Sequence, residues 1–162
     1  MFRRSCLTAL ALLPIICAQT PSTDPVPIEV TGKISAIDTQ VWQGFSEGPG
    51  LFMTVQNVSG RGIQGYAFET TFTDPASGER VFPRRSHSTY KQPSLGAALA
   101  PGAKQEMPKP YQVPITSYGV PGNYSFNIDL VVFEDGTTWG PGKSQSAKYL
   151  LSQIQGAAPK RR

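Results

Sequence analysis

Residues 124–133 read YSFNIDLVVF and are followed at 134–139 by EDGTTW. Large apolar or aromatic side chains occupy every second position, which is the period of a β-strand: Tyr124, Phe126, Ile128, Leu130 and Val132. Asn127 and Asp129 lie on the other face, which turns apolar at Val131 and Phe133. Because Asp135-Gly136 favours a tight turn, the sequence predicts a strand over 124–133 and a returning strand at 137–139.

Two earlier stretches show the same two-residue period. One contains Leu51, Met53 and Val55, and the other contains Tyr66, Phe68, Thr70 and Phe72. Clusters of turn-forming residues at 57–62 and 74–78 separate the candidate strands. About seven to nine short strands over residues 28–142 predict an all-β, antiparallel β-sandwich. A small closed barrel is the alternative, and a parallel α/β fold is disfavoured because crossover helices are missing.

Three segments resemble parts of small exported bacterial immunoglobulin-like domains. They are 51–72, which includes Asn57-Val58-Ser59-Gly60 and Ile63, then 100–102 (APG), and 131–140 (VVFEDGTTWG). The resemblance covers residues 28–142 and implies an immunoglobulin-like antiparallel β-sandwich of about seven to nine strands. The cysteine pair of immunoglobulins is absent from it. The proteins it resembles have no defined activity, so the resemblance implies a fold and no function.

Residues 143–162 form a separate basic element. Side chains at the spacing of one helix face are Ala147, Leu150, Leu151 and Ile154. Gly156 is expected to end this helix, and 160–162 (KRR) ends the chain. The sequence predicts a short C-terminal helix in a basic helical tail. The helix docks on its own sandwich or frays, or else it binds a partner or an anionic membrane surface.

Residues 1–18 have the layout of a signal peptide. Arg3 and Arg4 precede an apolar run at 7–16 (LTALALLPII), and Ala18 is a small residue suited to cleavage. The run is shorter than the roughly 20 residues needed to span a bilayer. We therefore expect an exported protein, periplasmic or extracellular after cleavage near Ala18, with a linker at 19–27 and no transmembrane segment. A retained N-terminal anchor and lipidation of Cys17 are the alternatives.

Cleavage also changes the cysteine count and the charge. Cys6 and Cys17 leave with the signal peptide, so the mature chain has neither a disulfide nor a thiol nucleophile. The whole chain has 15 basic and 11 acidic residues, whereas residues 19–142 have 8 basic and 11 acidic ones. A nucleic-acid partner is disfavoured because phosphate binding needs a basic face.

The motifs in the chain favour no catalytic, cofactor or metal site. The pattern G-x-G-x-x-G occurs at 60–65, but a strand pattern follows it where nucleotide binding requires a helix. His87 is the only histidine, and we expect a solvated loop or edge position for it. Glu134 and Asp135 lie in or beside a turn, where Asp-Gly is ordinary turn chemistry. We therefore expect a protein that is not an enzyme.

Two hypotheses for function follow. The first is a binding or structural module of the bacterial cell envelope that contacts another protein through an exposed sheet edge or loop. The second is a carbohydrate-binding module, because aromatic faces suit sugar binding. Its candidate ligand-binding residues are Trp42, Phe45 and Tyr118. The expected partner is accordingly an envelope protein or a glycan.

Overall fold

The computed structural model describes residues 24–113 and 123–157. Within these residues eight strands form, all paired antiparallel: β1 (Ile28–Ala36), β2 (Pro49–Asn57), β3 (Ile63–Thr73), β4 (Arg85–Tyr90), β5 (Lys104–Glu106), β6 (Tyr111–Gln112), β7 (Asn123–Phe133) and β8 (Thr138–Trp139). A 3₁₀ turn (Pro93–Leu95) and one helix, α1 (Gln145–Ala157), complete them. The prediction of a mainly antiparallel β protein with a short C-terminal helix is confirmed. The predicted signal peptide (1–18), residues 19–23 of the linker and Tyr118 lie outside the described residues.

The strands form two four-stranded sheets. In sheet A, β1 pairs with the full length of β2, and β5 and β6 pair with different parts of the other edge of β2. In sheet B the order is β4-β3-β7-β8. The predicted turn joins β7 to β8, where Gly136 has a φ of 81° and the N–H of Phe133 donates to the carbonyl of Thr137 at 2.9 Å. The returning strand is short, since only Thr138 and Trp139 pair with β7.

One apolar core lies between the two sheets. Its buried members include, from sheet A, Ile28, Leu51, Met53 and Val55, and from sheet B, Tyr66, Phe68, Phe72 and Val131. Burying one such side chain contributes roughly 1.5–3 kcal/mol. The described residues include no cysteine, so this part of the chain is held together by its core and not by disulfides.

A β-bulge in β7 changes which side chains face this core. Ala67 pairs with Leu130, whereas Phe68 pairs with Ile128, so Asp129 is an extra residue in β7. Beyond the bulge the two faces exchange: Val131 and Phe133 enter the core between the sheets, and Leu130 and Val132 face outward with Ala67. The expectation that Leu130 and Val132 share a face with Tyr124, Phe126 and Ile128 is therefore wrong.

Helix α1 covers the outer face of sheet B. Ala147 and Leu150 are buried against Ala67, Leu130 and Val132. Gly65 allows the close approach, because a Cβ added there would lie 2.8 Å from the Cδ1 of Leu150. The helix thus docks on its own domain, and it continues through Gly156, where the sequence predicts its end. In the described part of the chain, no helix has the length and apolar character to cross a membrane.

Candidate functional site

The backbone of β1 has one side that β2 does not use. At the two ends of the pair, the N–H of Val58 donates to the carbonyl of Pro27 at 3.0 Å, and the N–H of Ile37 donates to the carbonyl of Gly48 at 2.8 Å. The register is unbroken between them. Since hydrogen-bonded pairs alternate in an antiparallel ladder, the odd-numbered residues of β1 bond to β2. The N–H and C=O groups of Val30, Gly32 and Ile34 therefore point away from β2; we call them the β1 edge.

Little else contacts this edge within residues 24–113 and 123–157, where β2 is the one strand that pairs with β1. The hydroxyl of Tyr124 in β7 donates to the carbonyl of Gly32. A Cβ on Gly32 would lie 2.9 Å from ring atoms of Tyr124 and Phe126, so glycine is what lets these rings pack beneath the strand. Apart from that one bond, no described residue pairs with the backbone groups of the β1 edge, which are the groups that another strand requires.

A groove lies on the outer face of sheet A. We call it the aromatic groove; it has a volume of about 320 Å³, and its lining includes Thr31, Lys33, Trp42, Phe52, Thr54 and Glu106. Phe52 points outward because its neighbours Leu51 and Met53 on β2 point into the core. The rings of Trp42 and Phe52 meet edge to face, with centroids 6.4 Å apart and planes at 61°.

The loop between β1 and β2 holds Trp42 at this groove. Asp38 organises a turn there, because its side chain accepts the N–H of Gln40 at 2.9 Å and its carbonyl accepts the N–H of Trp42 at 2.8 Å. Across the groove, Lys33 of β1 and Glu106 of β5 carry opposite charges. Neither belongs to an ion pair among the described residues. The groove thus offers two aromatic rings, two hydroxyl groups and a balanced pair of charges.

The structure separates the three residues predicted to bind a ligand. Trp42 lines the aromatic groove, whereas Phe45 lies in the same loop but is not part of the groove's lining. Tyr118 lies outside the described residues. Phe52 is a groove residue that the sequence reasoning missed. Its signal is present in the sequence, because the alternation of Leu51, Met53 and Val55 leaves an aromatic residue on the polar face of that strand.

His87 lies on edge strand β4 and is half-buried instead of solvated. Its ring stacks on Phe68, with centroids 4.7 Å apart and planes at 19°, and its Nε2 lies 3.0 Å from the Oγ1 of Thr70. Burial, and to a lesser degree the charge of Arg85, lowers the pKa of His87 below its usual range. In the described residues no cluster of three or more His, Cys, Asp or Glu side chains is placed to hold a metal ion.

The loop with the G-x-G-x-x-G pattern leads into β3, as the strand pattern indicates. Arg61 packs over the ring of Phe133, 3.7 Å from its centroid, and forms an ion pair with Asp135. Hydrogen bonds from Thr137, and then the Arg61 guanidinium, lower the pKa of Asp135 to about 2. The side chains of Arg61, Asp135 and Thr137 therefore connect the β2–β3 loop to the β7–β8 turn.

Comparison with protein-family models and with curated proteins gives no match for this chain. Among solved structures, the chain is similar to a hypothetical protein of Peptoclostridium difficile 630. The two share 16% sequence identity, 81% of this chain and 92% of that chain are covered, and the TM-score is 0.47. These comparisons indicate no function for the chain.

Proposed function

We propose that this protein is an exported, non-enzymatic binding module of the bacterial cell envelope that contacts another protein through the β1 edge. The observation that carries the proposal is the set of outward-pointing backbone groups at Val30, Gly32 and Ile34. An extended segment of a partner can add itself to such an edge, with main-chain hydrogen bonds providing affinity.

Features of β1 distinguish it from a protected edge. Natural edge strands are often very short, or interrupted by proline or a bulge. β1 has nine residues, no proline and an unbroken register with β2. Charged side chains also protect edge strands. Those of β1, Glu29 and Lys33, lie on the outer face of sheet A, so a partner strand must offer charges that match them. A strand of this length stays open to a partner strand.

The remaining parts of the proposal have their own support. An immunoglobulin-like topology accords with two antiparallel sheets that enclose one core. Export accords with the composition of residues 1–18 and with a domain core built without cysteine. A role without catalysis accords with the engagement of His87 by Thr70 and Phe68, and of Asp135 by Thr137 and Arg61.

Substituting Val30→Pro tests the edge directly. Proline lacks an N–H, but the N–H of Val30 points away from β2, so the β1–β2 ladder keeps its bonds. We expect the fold to be retained at some cost in stability, because the Val30 side chain packs against the core. We expect the tagged protein to recover a specific protein from its own envelope fraction, and the variant to lose that protein. Ile34→Pro is the second edge variant, and circular dichroism checks that each variant is folded.

Trp42→Ala serves as the matched control, since it removes a ring from the aromatic groove and leaves the backbone groups of the edge in place, although Gly32 borders both. In the complex with the recovered protein, amide exchange at Val30 and Ile34 is expected to slow. Recovery that is unchanged by both proline variants would overturn the proposal. So would the absence of any recovered protein specific to the wild type, untagged copies of this chain included.

The aromatic groove favours a second candidate function, carbohydrate binding. A neutral sugar presents an apolar face to an aromatic ring and hydroxyl groups to polar side chains, which matches Trp42 and Phe52 beside Thr31 and Thr54. We expect retention of the protein on insoluble cellulose, chitin or starch, and its loss in Trp42→Ala. Phe45→Ala, in the same loop but outside the groove, should keep it. If Trp42→Ala is retained as well as the wild type, carbohydrate binding at the aromatic groove is contradicted.

A further inference from the structure

We infer that the strand that fits the β1 edge is β1 of a second copy of this chain, paired antiparallel around a twofold axis at Thr31. The inference rests on the proposed function, because it names the partner of the same edge. In the resulting dimer, the two A sheets join into one continuous sheet.

The hydrogen-bond parity of β1 limits the ways in which two copies can pair. Only the even-numbered residues turn their N–H and C=O groups outward, so even-numbered residues must form the hydrogen-bonded pairs between copies. The remaining freedom is a shift of the twofold axis along the strand by whole residues. The side chains on the two faces of the sheet then decide among these registers.

On the outer face, an axis at Thr31 places Glu29 of each copy opposite Lys33 of the other. Both side chains lie on an exposed face, and neither has an ion-pair partner among the described residues. The dimer thus gains two opposite-charge pairs across the strands, and Thr31 lies opposite its own copy. Such cross-strand pairs are favourable in antiparallel sheets.

Neighbouring registers lose this match. An axis at Gly32 pairs Glu29 with Ser35 and Lys33 with Thr31. An axis at Val30 pairs Glu29 with Thr31 and Lys33 with Pro27, so both charges again lack an opposite charge. An axis at Glu29 or at Lys33 places two like charges opposite each other, which is unfavourable. Thr31 is therefore the centre that satisfies the charges of this strand.

The inner face and the backbone agree with the same centre. Ile28 lies opposite Ile34 of the other copy, which pairs two apolar side chains at each end. Val30 lies opposite Gly32 and forms a hydrogen-bonded pair with it. The carbonyl of Gly32 already accepts the hydroxyl of Tyr124, but a carbonyl oxygen has two lone pairs and can accept the N–H of Val30 as well.

Charge reversal tests this register in the purified protein by sedimentation velocity over a range of concentrations. The wild type is expected to dimerise. Glu29→Lys and Lys33→Glu should each weaken the dimer about tenfold or more in Kd, because each creates two like-charge pairs. The double variant Glu29→Lys with Lys33→Glu should restore it. Glu106→Lys, on the same face but away from β1, is the matched control and should dimerise as the wild type does.

A cysteine at the axis provides a second readout that does not depend on affinity. Residues opposite each other in a pair without hydrogen bonds have Cα atoms about 4.5 Å apart, within the range of a disulfide. In protein lacking residues 1–18, and so lacking Cys6 and Cys17, Thr31→Cys should form a covalent dimer with oxidised glutathione as the oxidant. Ser35→Cys, on the same face of β1, should stay monomeric.

The outcomes separate this inference from the proposed function. A monomeric wild type whose Thr31→Cys variant does not cross-link overturns self-pairing. If envelope capture is at the same time abolished by Val30→Pro, the edge binds a different protein and the proposed function stands. If Val30→Pro and Ile34→Pro also leave envelope capture unchanged, both self-pairing and the proposed function are overturned. A dimer that survives both single charge reversals overturns the Thr31 register.

Discussion

The side chain of Asp129 accepts a hydrogen bond from the backbone N–H of Ser144 at 2.6 Å. This bond joins the bulge of β7 to the residue that caps α1, since the Oγ of Ser144 accepts the N–H of Ala147 at 3.1 Å. Asp129 is buried, so its carboxylate is largely shielded from water. The bulge that moves Leu130 and Val132 to the outer face thus also fixes the start of the helix that covers them.

We expect Asp129→Ala to lower the free energy of unfolding by about 1.5–3 kcal/mol, because it removes a buried carboxylate acceptor from the partly buried N–H of Ser144. Urea denaturation measures the change. Glu79→Ala, which removes an exposed carboxylate, should alter stability by less than about 0.5 kcal/mol. Equal effects of the two substitutions would show that the bond to Ser144 does not hold the helix.

Gly65 should be intolerant of a side chain. A Cβ there meets the Cδ1 of Leu150 at 2.8 Å and the backbone carbonyl oxygen of Thr89 at 2.9 Å. Gly65→Ala should therefore cost about 1–3 kcal/mol of stability. Gly60→Ala is the control, since nothing lies within 4 Å of its added Cβ. In a double-mutant cycle with Leu150→Ala, the cost of Gly65→Ala should become smaller; additive costs would contradict this packing of α1 on sheet B.

Asn57, the last residue of β2, should be more sensitive to substitution than the polar residues of the β2–β3 loop that follows it. It is fully buried, and its amide donates to the carbonyls of Arg61 at 2.7 Å and Leu99 at 3.0 Å. Asn57→Ala removes these two bonds and also the bonds that its Oδ1 accepts from the N–H and hydroxyl of Ser59, so it should lower stability by about 2–4 kcal/mol. Asn123→Ala, at an exposed position of β7, should be nearly neutral in the same thermal or urea unfolding assay.

His87 should make stability depend on pH near neutrality. Its pKa in the folded protein is lowered, mainly by burial, whereas in the unfolded chain it titrates near pH 6.5. The unfolded state therefore binds the proton first as pH falls. The stability linked to His87 is fully present above about pH 6.5 and is lost below it, until the folded form is also protonated.

His87→Gln should remove this part of the pH dependence, which urea unfolding at about pH 8 and about pH 5.5 can measure. His87 is the chain's only histidine, so no other imidazole contributes. If the wild type and the variant lose the same amount of stability between these two pH values, the buried position of His87 is contradicted.

Regular alternation explains how much of the fold is predictable from the sequence. β2 and β3 keep a strict two-residue period through most of their length, so Leu51, Met53, Phe68 and Phe72 can be assigned to the core from the sequence. The bulge at Asp129 cannot be predicted from the sequence, because a regular strand also places a polar residue between two apolar ones. The change of face at Asp129 depends on how β7 pairs with β3, and that pairing is a long-range contact.

The candidate site, too, is predictable from the sequence only in its local features. Trp42 could be proposed from its aromatic character, and Phe52 from the alternation around it, but their meeting requires the turn that Asp38 organises. The β1 edge depends on strand order and hydrogen-bond parity. Neither property is local to residues 28–36, so sequence reasoning could predict an exposed edge but could not say which strand provides it.

Amide hydrogen exchange along β1, measured on dilute protein in which self-association is negligible, tests the central claim most directly. Thr31 and Lys33 bond to β2, so their amides should exchange slowly. The amides of Val30 and Ile34 point away from β2 and should exchange much faster, which gives an alternating pattern. Slow exchange at all four positions would mean that the outward side of β1 is already occupied within the monomer, and it would contradict a free binding edge.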